Sequence, residues 1–234
     1  RKGVSVIQLA GGFSRAVYES NSLSILRSFA DCFGGTAYQI PAPAMVEKPF
    51  IVEALKQDSQ IAKVCDMAEI CETAIFSVGN LERPSILYEM GLITSIEYQD
   101  MIHRGAIGDC CSHFLNKNGD VFDETMDARV VGPSLETIKK IPNKMLVVSG
   151  KKKAAVIHAA LKGGLADSLY IDAPTAEELL KKQCEIGKQE DYMHVILTDE
   201  EQILDAIGKV RTIYPNVMQI SFKNRRHMKQ LESA

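Results

Sequence analysis

The 234 residues predict an α/β protein with a mostly parallel, Rossmann-like sheet and helices on both faces. Three observations carry that reading. Short β-rich runs alternate with helical patterns over the first 180 residues, and each run stops at glycine or proline. The third is size: at 25.8 kDa and 46% hydrophobic, the chain is long enough to bury a sizeable core.

Val4-Ser5-Val6-Ile7-Gln8-Leu9 reads as the first strand, stopped by Gly11-Gly12, and residues 20–33 as a helix with Leu23, Leu26 and Ala30 on one face. Tyr38-Gln39-Ile40 ends at Pro41-Ala42-Pro43, and residues 50–68 read as one or two helices. Ala74-Ile75-Phe76-Ser77-Val78 is the next strand, ending at Gly79-Asn80. The alternation breaks between Gly105 and Pro133. There Asn118-Gly119, flanked by Cys111 to Leu115 and Val121-Phe122, signals a hairpin and a small antiparallel insertion. Met145-Leu146-Val147-Val148 then ends at Ser149-Gly150 before a helix over 151–161. Ser168-Leu169-Tyr170-Ile171 precedes Pro174, a good first-turn residue for a helix through Leu180. The texture changes after Lys182. Residues 183–190 read as a polar linker, and residues 191–234 as a short C-terminal βαβ module. Its strands are Tyr192 to Leu197 and Val217 to Ile220, with an amphipathic helix over 199–213 capped by Asp199. The closing Lys223, Arg225, Arg226, His227 and Lys229 read as a solvated tail, with a nucleic-acid contact as the sharper alternative.

With 27 Lys+Arg against 30 Asp+Glu the formal charge is -3, so no global positive field recruits nucleic acid or an anionic membrane. No apolar stretch is long enough for a membrane span. The six cysteines, at 32, 65, 71, 110, 111 and 184, show neither CxxC nor zinc-type spacing. They are expected to be reduced thiols in a cytosolic protein. No metal and no cofactor is expected. Arg1-Lys2-Gly3-Val4, without an initiator Met, suggests the soluble part of something longer.

Ligands of open α/β sheets bind outside the carboxyl ends of the strands, where backbone amides and helix N-termini face them. That locates candidate loops at Gly11-Gly12-Phe13-Ser14, Pro41-Ala42-Pro43, Gly79-Asn80 and Ser149-Gly150-Lys151-Lys152-Lys153. Each alone is an ordinary strand-to-helix turn. Together they favour a phosphorylated or polyhydroxylated small ligand, because glycine lets backbone approach an anion and three lysines opposing a helix dipole call for one. Asp109, between glycines and Cys110-Cys111, and Arg129, before Val130-Val131-Gly132, suit hydroxyls and a phosphate. Their bland readings are a turn or cap for Asp109 and an ion pair with Asp127 for Arg129. No nucleophile with its base, no Walker A and no paired helical histidines occur.

The ordered set Gly11-Gly12, Tyr38 to Pro43, Ile75 to Gly79, Gly105 to Asp109, Asp127 to Gly132, and Gly150-Lys151-Lys152-Lys153 to Gly164 resembles the sugar-binding effector domain of SorC/DeoR-type bacterial transcriptional regulators. It covers residues 1 to about 182. The resemblance implies a fold similar to glucosamine-6-phosphate deaminase and ribose-5-phosphate isomerase, a phosphorylated sugar effector, and a homo-oligomer. DNA would be reached only through a helix-turn-helix that these residues do not contain. The resemblance implies Gly11, Gly12 and Ser14 in the first ligand loop, Asp109 near the sugar hydroxyls and Lys153 at the phosphate. Pro43, Gly79, Arg129 and Gly150 complete the expected site, although Ala128 stands where the family carries an acid. The chain opens at what would be the second strand of that domain, without its Gly-x-x-Trp-Gly-x-Thr loop, so weak effector binding is expected. A non-enzymatic sensor is the leading function. The alternative is a sugar-phosphate isomerase or deaminase with Asp109 as base and His103 or His113 as its partner. Residues from about 189 resemble the C-terminal segment of the SbcD nuclease subunit, which suggests a fusion, a chimera or a docking module; the nuclease's metal motifs are absent from the sequence.

Overall fold

The computed structural model describes residues 3–12, 22–81, 86–89, 91–186, 193–197 and 217–222. The expected helix over 199–213, the 223–229 basic stretch and Ser14 lie outside the described residues. Strand β1 (Ser5–Ile7) leads to helix α1 (Ser22–Cys32), which buries Leu26 and Ala30, and then to β2 (Thr36–Tyr38), parallel to β1. The 50–68 region is two helices. α2 (Pro49–Lys56) starts on a proline, and α3 (Ser59–Glu69) is capped by Asp58, whose carboxylate accepts from the Gln60 and Ile61 amides.

The single strand expected over 74–78 is two strands: β3 (Thr73–Phe76) stays in a parallel sheet, and β4 (Val78–Asn80) turns away at Ser77 to pair elsewhere. After α4 (Ile86–Glu89), α5 (Ser95–Arg104) is bounded by a Thr94/Glu97 capping box and by Gly105 at φ +94°. Next come β5 (Gly108–Cys110), β6 (His113–Leu115), α6 (Glu124–Asp127) and α7 (Leu135–Lys140). The order β4-β5-β6 is antiparallel throughout, which is the inserted excursion. Its Asn118-Gly119 turn brings Val121 back onto Leu115, and a second, unforeseen turn at Cys111-Ser112 joins β5 to β6.

Then β7 (Asn143–Val148) reaches Gly150, and Lys151–Lys153 form one 3-10 turn before α8 (Ala154–Lys162). The helix expected from Lys151 therefore begins three residues later. β8 (Ser168–Ile171) precedes α9 (Ala173–Ile186), which carries Pro174 in its first turn. Residues 183–186, expected in the linker, continue α9, because Gln183, Cys184, Glu185 and Ile186 include no helix breaker. β9 (Met193–Leu197) and β10 (Val217–Phe222) complete a five-stranded parallel sheet of order β10-β9-β8-β7-β3. The C-terminal strands thus add to the same sheet as β7 and β8.

Successive neighbours β7, β8 and β9 advance in one direction, so right-handed crossovers put α8 and α9 on one face, where they pack together. That face holds the main core: Leu146, Val148, Leu169 and Ile171 from the strands, with Val156, Ile157 and Ala160 from α8. The alternate positions Ile75 and Val147 point the other way and stay nearly half exposed. No helix among the described residues is long and apolar enough to cross a membrane.

The tip of the insertion rests on the end of α8, where a side chain at Gly119 (φ +79°) would strike the Ala159 carbonyl and the Gly163 backbone. Gly119→Ala is therefore expected to cost roughly 2–4 kcal/mol in urea unfolding. Gly34→Ala, at φ +61° in open space, serves as the control. It should cost only about 1 kcal/mol.

Candidate functional site

The expected residues assemble in two groups at the carboxyl ends of the strands. In the first, the loops after β1 and β2 are laced by hydrogen bonds. The Gly12 amide donates to the Ala42 carbonyl at 2.9 Å, Ala44 donates to the Gly12 carbonyl at 3.0 Å, and Gly12 bridges Pro43. A Cβ on Gly11 would collide with the Pro43 carbonyl, so only glycine lets these loops touch. A third segment joins them: the Gly11 amide donates to the Val131 carbonyl at 2.9 Å, and Val131 donates to Ala44 at 2.9 Å.

The second group centres on Asp109. β4 and β5 pair with Gly79 opposite Asp109, and the Asp109 carboxyl lies where a Gly79 side chain would be. Cys111 (φ 51°) and Ser112 (φ 73°) turn the chain immediately after β5. Two non-glycine residues in left-handed backbone are costly, and such strain collects at ligand sites. The turn aims the Ser112 amide back at the Asp109 carboxyl. Burial pushes the Asp109 carboxyl above its usual range, only partly offset by that amide, by Lys153 and by His113. Lys153 ends the 3-10 turn that starts at Gly150, and its amide donates to the Gly150 carbonyl at 2.8 Å. Lys153 is half-buried, whereas Lys151 and Lys152 are exposed. Asn80 holds this turn against β4 by donating to the Lys152 carbonyl at 3.2 Å. Gly79, Asp109, Gly150 and Lys153 are thus neighbours.

Arg129 is placed differently. Its buried guanidinium is engaged by protein acceptors: Glu97 Oε1 at 2.7 Å, the Leu92 carbonyl at 2.8 Å and, through Nε, the Val46 carbonyl at 2.8 Å. The ion pair is with Glu97 rather than with Asp127, which instead meets His113. Arg129 therefore braces the loop after β2 against α5. Burial raises the Glu97 carboxyl, but hydrogen bonds from Thr94 and the Arg129 charge outweigh it and hold it below its usual range.

One polar group escaped the sequence reading. Asp172 follows β8, and its Oδ1 is buried with no hydrogen-bond partner among the described residues. The same turn carries Thr175, whose hydroxyl accepts from the Gly150 amide at 2.8 Å. An unsatisfied carboxylate oxygen beside the Gly150 turn is a place for a ligand hydroxyl. Its position just past a strand end, the rule that located the other loops, was the available signal.

Arg129→Ala leaves two part-buried carbonyls and Glu97 without their donor and is expected to destabilise by about 2–4 kcal/mol. Arg129→Lys should recover only part of this, since an ammonium cannot reach three separated acceptors. Because the Glu97 carboxyl is held low, its contribution is complete above pH 4.5 and is lost as pH falls through the folded-state value. Acid unfolding monitored by circular dichroism should show that loss in the parent and a smaller one in Arg129→Ala.

A family model described as a sugar-binding domain matches residues 1–181. A second, SbcD_C, described as the type 5 capsule protein repressor C-terminal domain, matches residues 169–234. The chain is 28% identical over 179 residues to the deoxyribonucleoside regulator of Bacillus subtilis, covering 76% of this chain and 57% of that protein. It therefore spans little more than half the length of that relative. The sugar-binding domain of a transcriptional repressor from Vibrio fischeri superposes with a TM-score of 0.68 at 27% identity, over 77% of this chain and 70% of that one. The full-length sorbitol operon regulator SorC of Klebsiella pneumoniae shares the fold, with a TM-score of 0.69 at 21% identity over 75% of this chain and 57% of that one. On the match over residues 1–181, joined to the loops already described, the chain belongs to the sugar-binding domain family of SorC/DeoR-type transcriptional regulators.

Proposed function

We propose that this chain is the non-enzymatic, effector-sensing part of a cytoplasmic transcriptional regulator, and that its effector is a phosphorylated sugar. The observation that carries the reading is Asp109, laid across Gly79 and within the field of Lys153 at the carboxyl edge of a parallel sheet. Asp109 and Asp172 accept sugar hydroxyls, while Lys153 and the Gly150 turn receive the phosphate. Gly11, Gly12 and Pro43 supply the first ligand loop, and Arg129 acts as a brace on the segment that joins it. Binding works by favouring one homo-oligomeric arrangement over another, since a ligand shifts an equilibrium only through differential affinity. DNA is contacted by a helix-turn-helix outside these residues.

An isomerase or deaminase on this scaffold would use the raised Asp109 carboxyl as its acid or base. It also needs a second titrating group. His103 is exposed on α5, and both ring nitrogens of His113 are engaged by Asp127 and Pro133, which favours the sensor.

Nuclear magnetic resonance titration tests this directly and detects weak binding. Ribose 5-phosphate or glucose 6-phosphate should shift the Gly79, Asp109 and Gly150 amides. Lys153→Ala should weaken that binding about tenfold, a hydrogen bond to a charged group being worth roughly 1.5–3 kcal/mol. Equal binding of the unphosphorylated sugars would remove the phosphate from the reading, and measurable aldose-ketose interconversion would remove the sensor.

A further inference from the structure

Cys110 and Cys111 are neighbours in the chain, and the backbone brings their thiols together as well. In an extended strand adjacent side chains point to opposite faces, so two successive cysteines do not meet. Cys110 closes β5, but Cys111 takes up left-handed backbone at φ 51°, and the alternation fails there. Both side chains enter the main core, Cys110 fully buried and Cys111 partly so. Both thiols are free of any bridge, and they hydrogen-bond to one another. The strained turn thus holds a pair of sulfurs in contact. The pair sits between Asp109 and Ser112, whose amide supports the Asp109 carboxyl.

We propose that Cys110 and Cys111 form a dithiol modification site, oxidised by a hydroperoxide to a vicinal disulfide that rearranges the turn beside Asp109. Cys111 meets the oxidant first, because Cys110 is closed off from solvent. The hydrogen bond with Cys111, and burial after it, push the Cys110 thiol well above its usual range, which leaves it as the resolving partner. The Cys111 sulfur attacks the O–O bond of hydrogen peroxide, gains one oxygen as a sulfenic acid, and a water leaves. The Cys110 sulfur then attacks that sulfur. The S–S bond forms, and the expelled hydroxyl departs as a second water with the Cys110 proton. Two thiols have lost two electrons, and one peroxide has been reduced to two waters. Adjacent Cα atoms stand about 3.8 Å apart, below the roughly 4.4–6.8 Å that relaxed disulfides span. The bond is therefore strained and readily reduced by other thiols, the property of a reversible bridge rather than a structural one. Closing it retwists the turn, draws the Ser112 amide off the Asp109 carboxyl and weakens effector binding. That last effect rests on the site assigned above, whereas the oxidation does not.

The test reads the two separately. Trypsin releases residues 105–117 as one peptide in which Cys110 and Cys111 are the only cysteines. After the folded chain is treated with hydrogen peroxide and its remaining thiols are alkylated, that peptide should be lighter by two hydrogens and carry no alkyl group. Dithiothreitol should restore both thiols, and Cys111→Ser should abolish the product. Two alkylated thiols in this peptide, a sulfinic acid at Cys111, or a bridge to a cysteine elsewhere would overturn the dithiol site whatever any ligand does. In the oxidised chain the Asp109 and Ser112 amides should move in nuclear magnetic resonance spectra, and unmoved amides overturn the rearrangement. Ribose 5-phosphate should bind the oxidised chain about tenfold more weakly than the reduced one, the loss of one hydrogen bond to a charged group. Dithiothreitol should remove that difference, and Cys111→Ser should not show it. Equal affinity in the two redox forms overturns the coupling to effector. A disulfide that forms while neither redox form binds a sugar phosphate would instead sink the site reading and leave the dithiol site standing.

Discussion

The close approach of β4 to β5 is the constraint on which the site depends. At Gly79 a side chain would occupy the space of the Asp109 carboxyl, and at Gly108 it would strike the Gly79 carbonyl and Val156 of α8. With both positions bare, two strands and a helix close on one another. The Asp109 carboxyl is then driven into a half-buried position where its ionised form is disfavoured and its value as a hydrogen-bonding group is high. The left-handed turn at Cys111-Ser112 follows from the same crowding. β6 must return immediately so that His113 can reach Asp127 and Pro133. The strain of that turn is offset by contacts on both of its sides.

The rest of the edge is held by backbone rather than by side chains. Three segments far apart in sequence, 10–12, 42–46 and 129–132, exchange amide and carbonyl hydrogen bonds, and each exchange needs a glycine or a close carbonyl at the crossing. Arg129 extends this lacing to α5. A guanidinium that satisfies two carbonyls and a carboxylate is a rigid three-way joint, and rigidity in the wall behind a ligand loop lowers the ordering cost of binding. The charge that sequence reasoning offered to a phosphate is thus used internally. Among the described residues, Lys153 and the Gly150 turn remain as a cationic feature of the edge.

Much of the architecture was legible. The parallel strands at 143–148 and 168–171 lie within a residue or two of their predicted ends, because apolar runs stopped by Gly150 and followed by Pro174 have few other readings. The antiparallel insertion announced itself at Asn118-Gly119. Illegible parts share a cause. The split of 74–78 into β3 and β4 has no punctuation, since Ser77 is neither glycine nor proline, and it is decided by β5 offering a partner edge. Cys111-Ser112 contains none of the residues that favour left-handed backbone, so no turn signal exists there.

By itself the sequence determined the fold class, the alternation of the main parallel strands with their helices, and most of the loops at the carboxyl edge. These follow from local periodicity and turn chemistry. Only the tertiary structure decided what each polar group does: Asp109 as a half-buried carboxyl laid across Gly79, Arg129 as a brace on Glu97, Asp172 as an unsatisfied oxygen, His113 between Asp127 and Pro133. Their roles depend on which partner arrives across the sheet, often from 30 or more residues away. Desolvation and hydrogen-bond pairing are properties of that assembled environment and not of the residue alone.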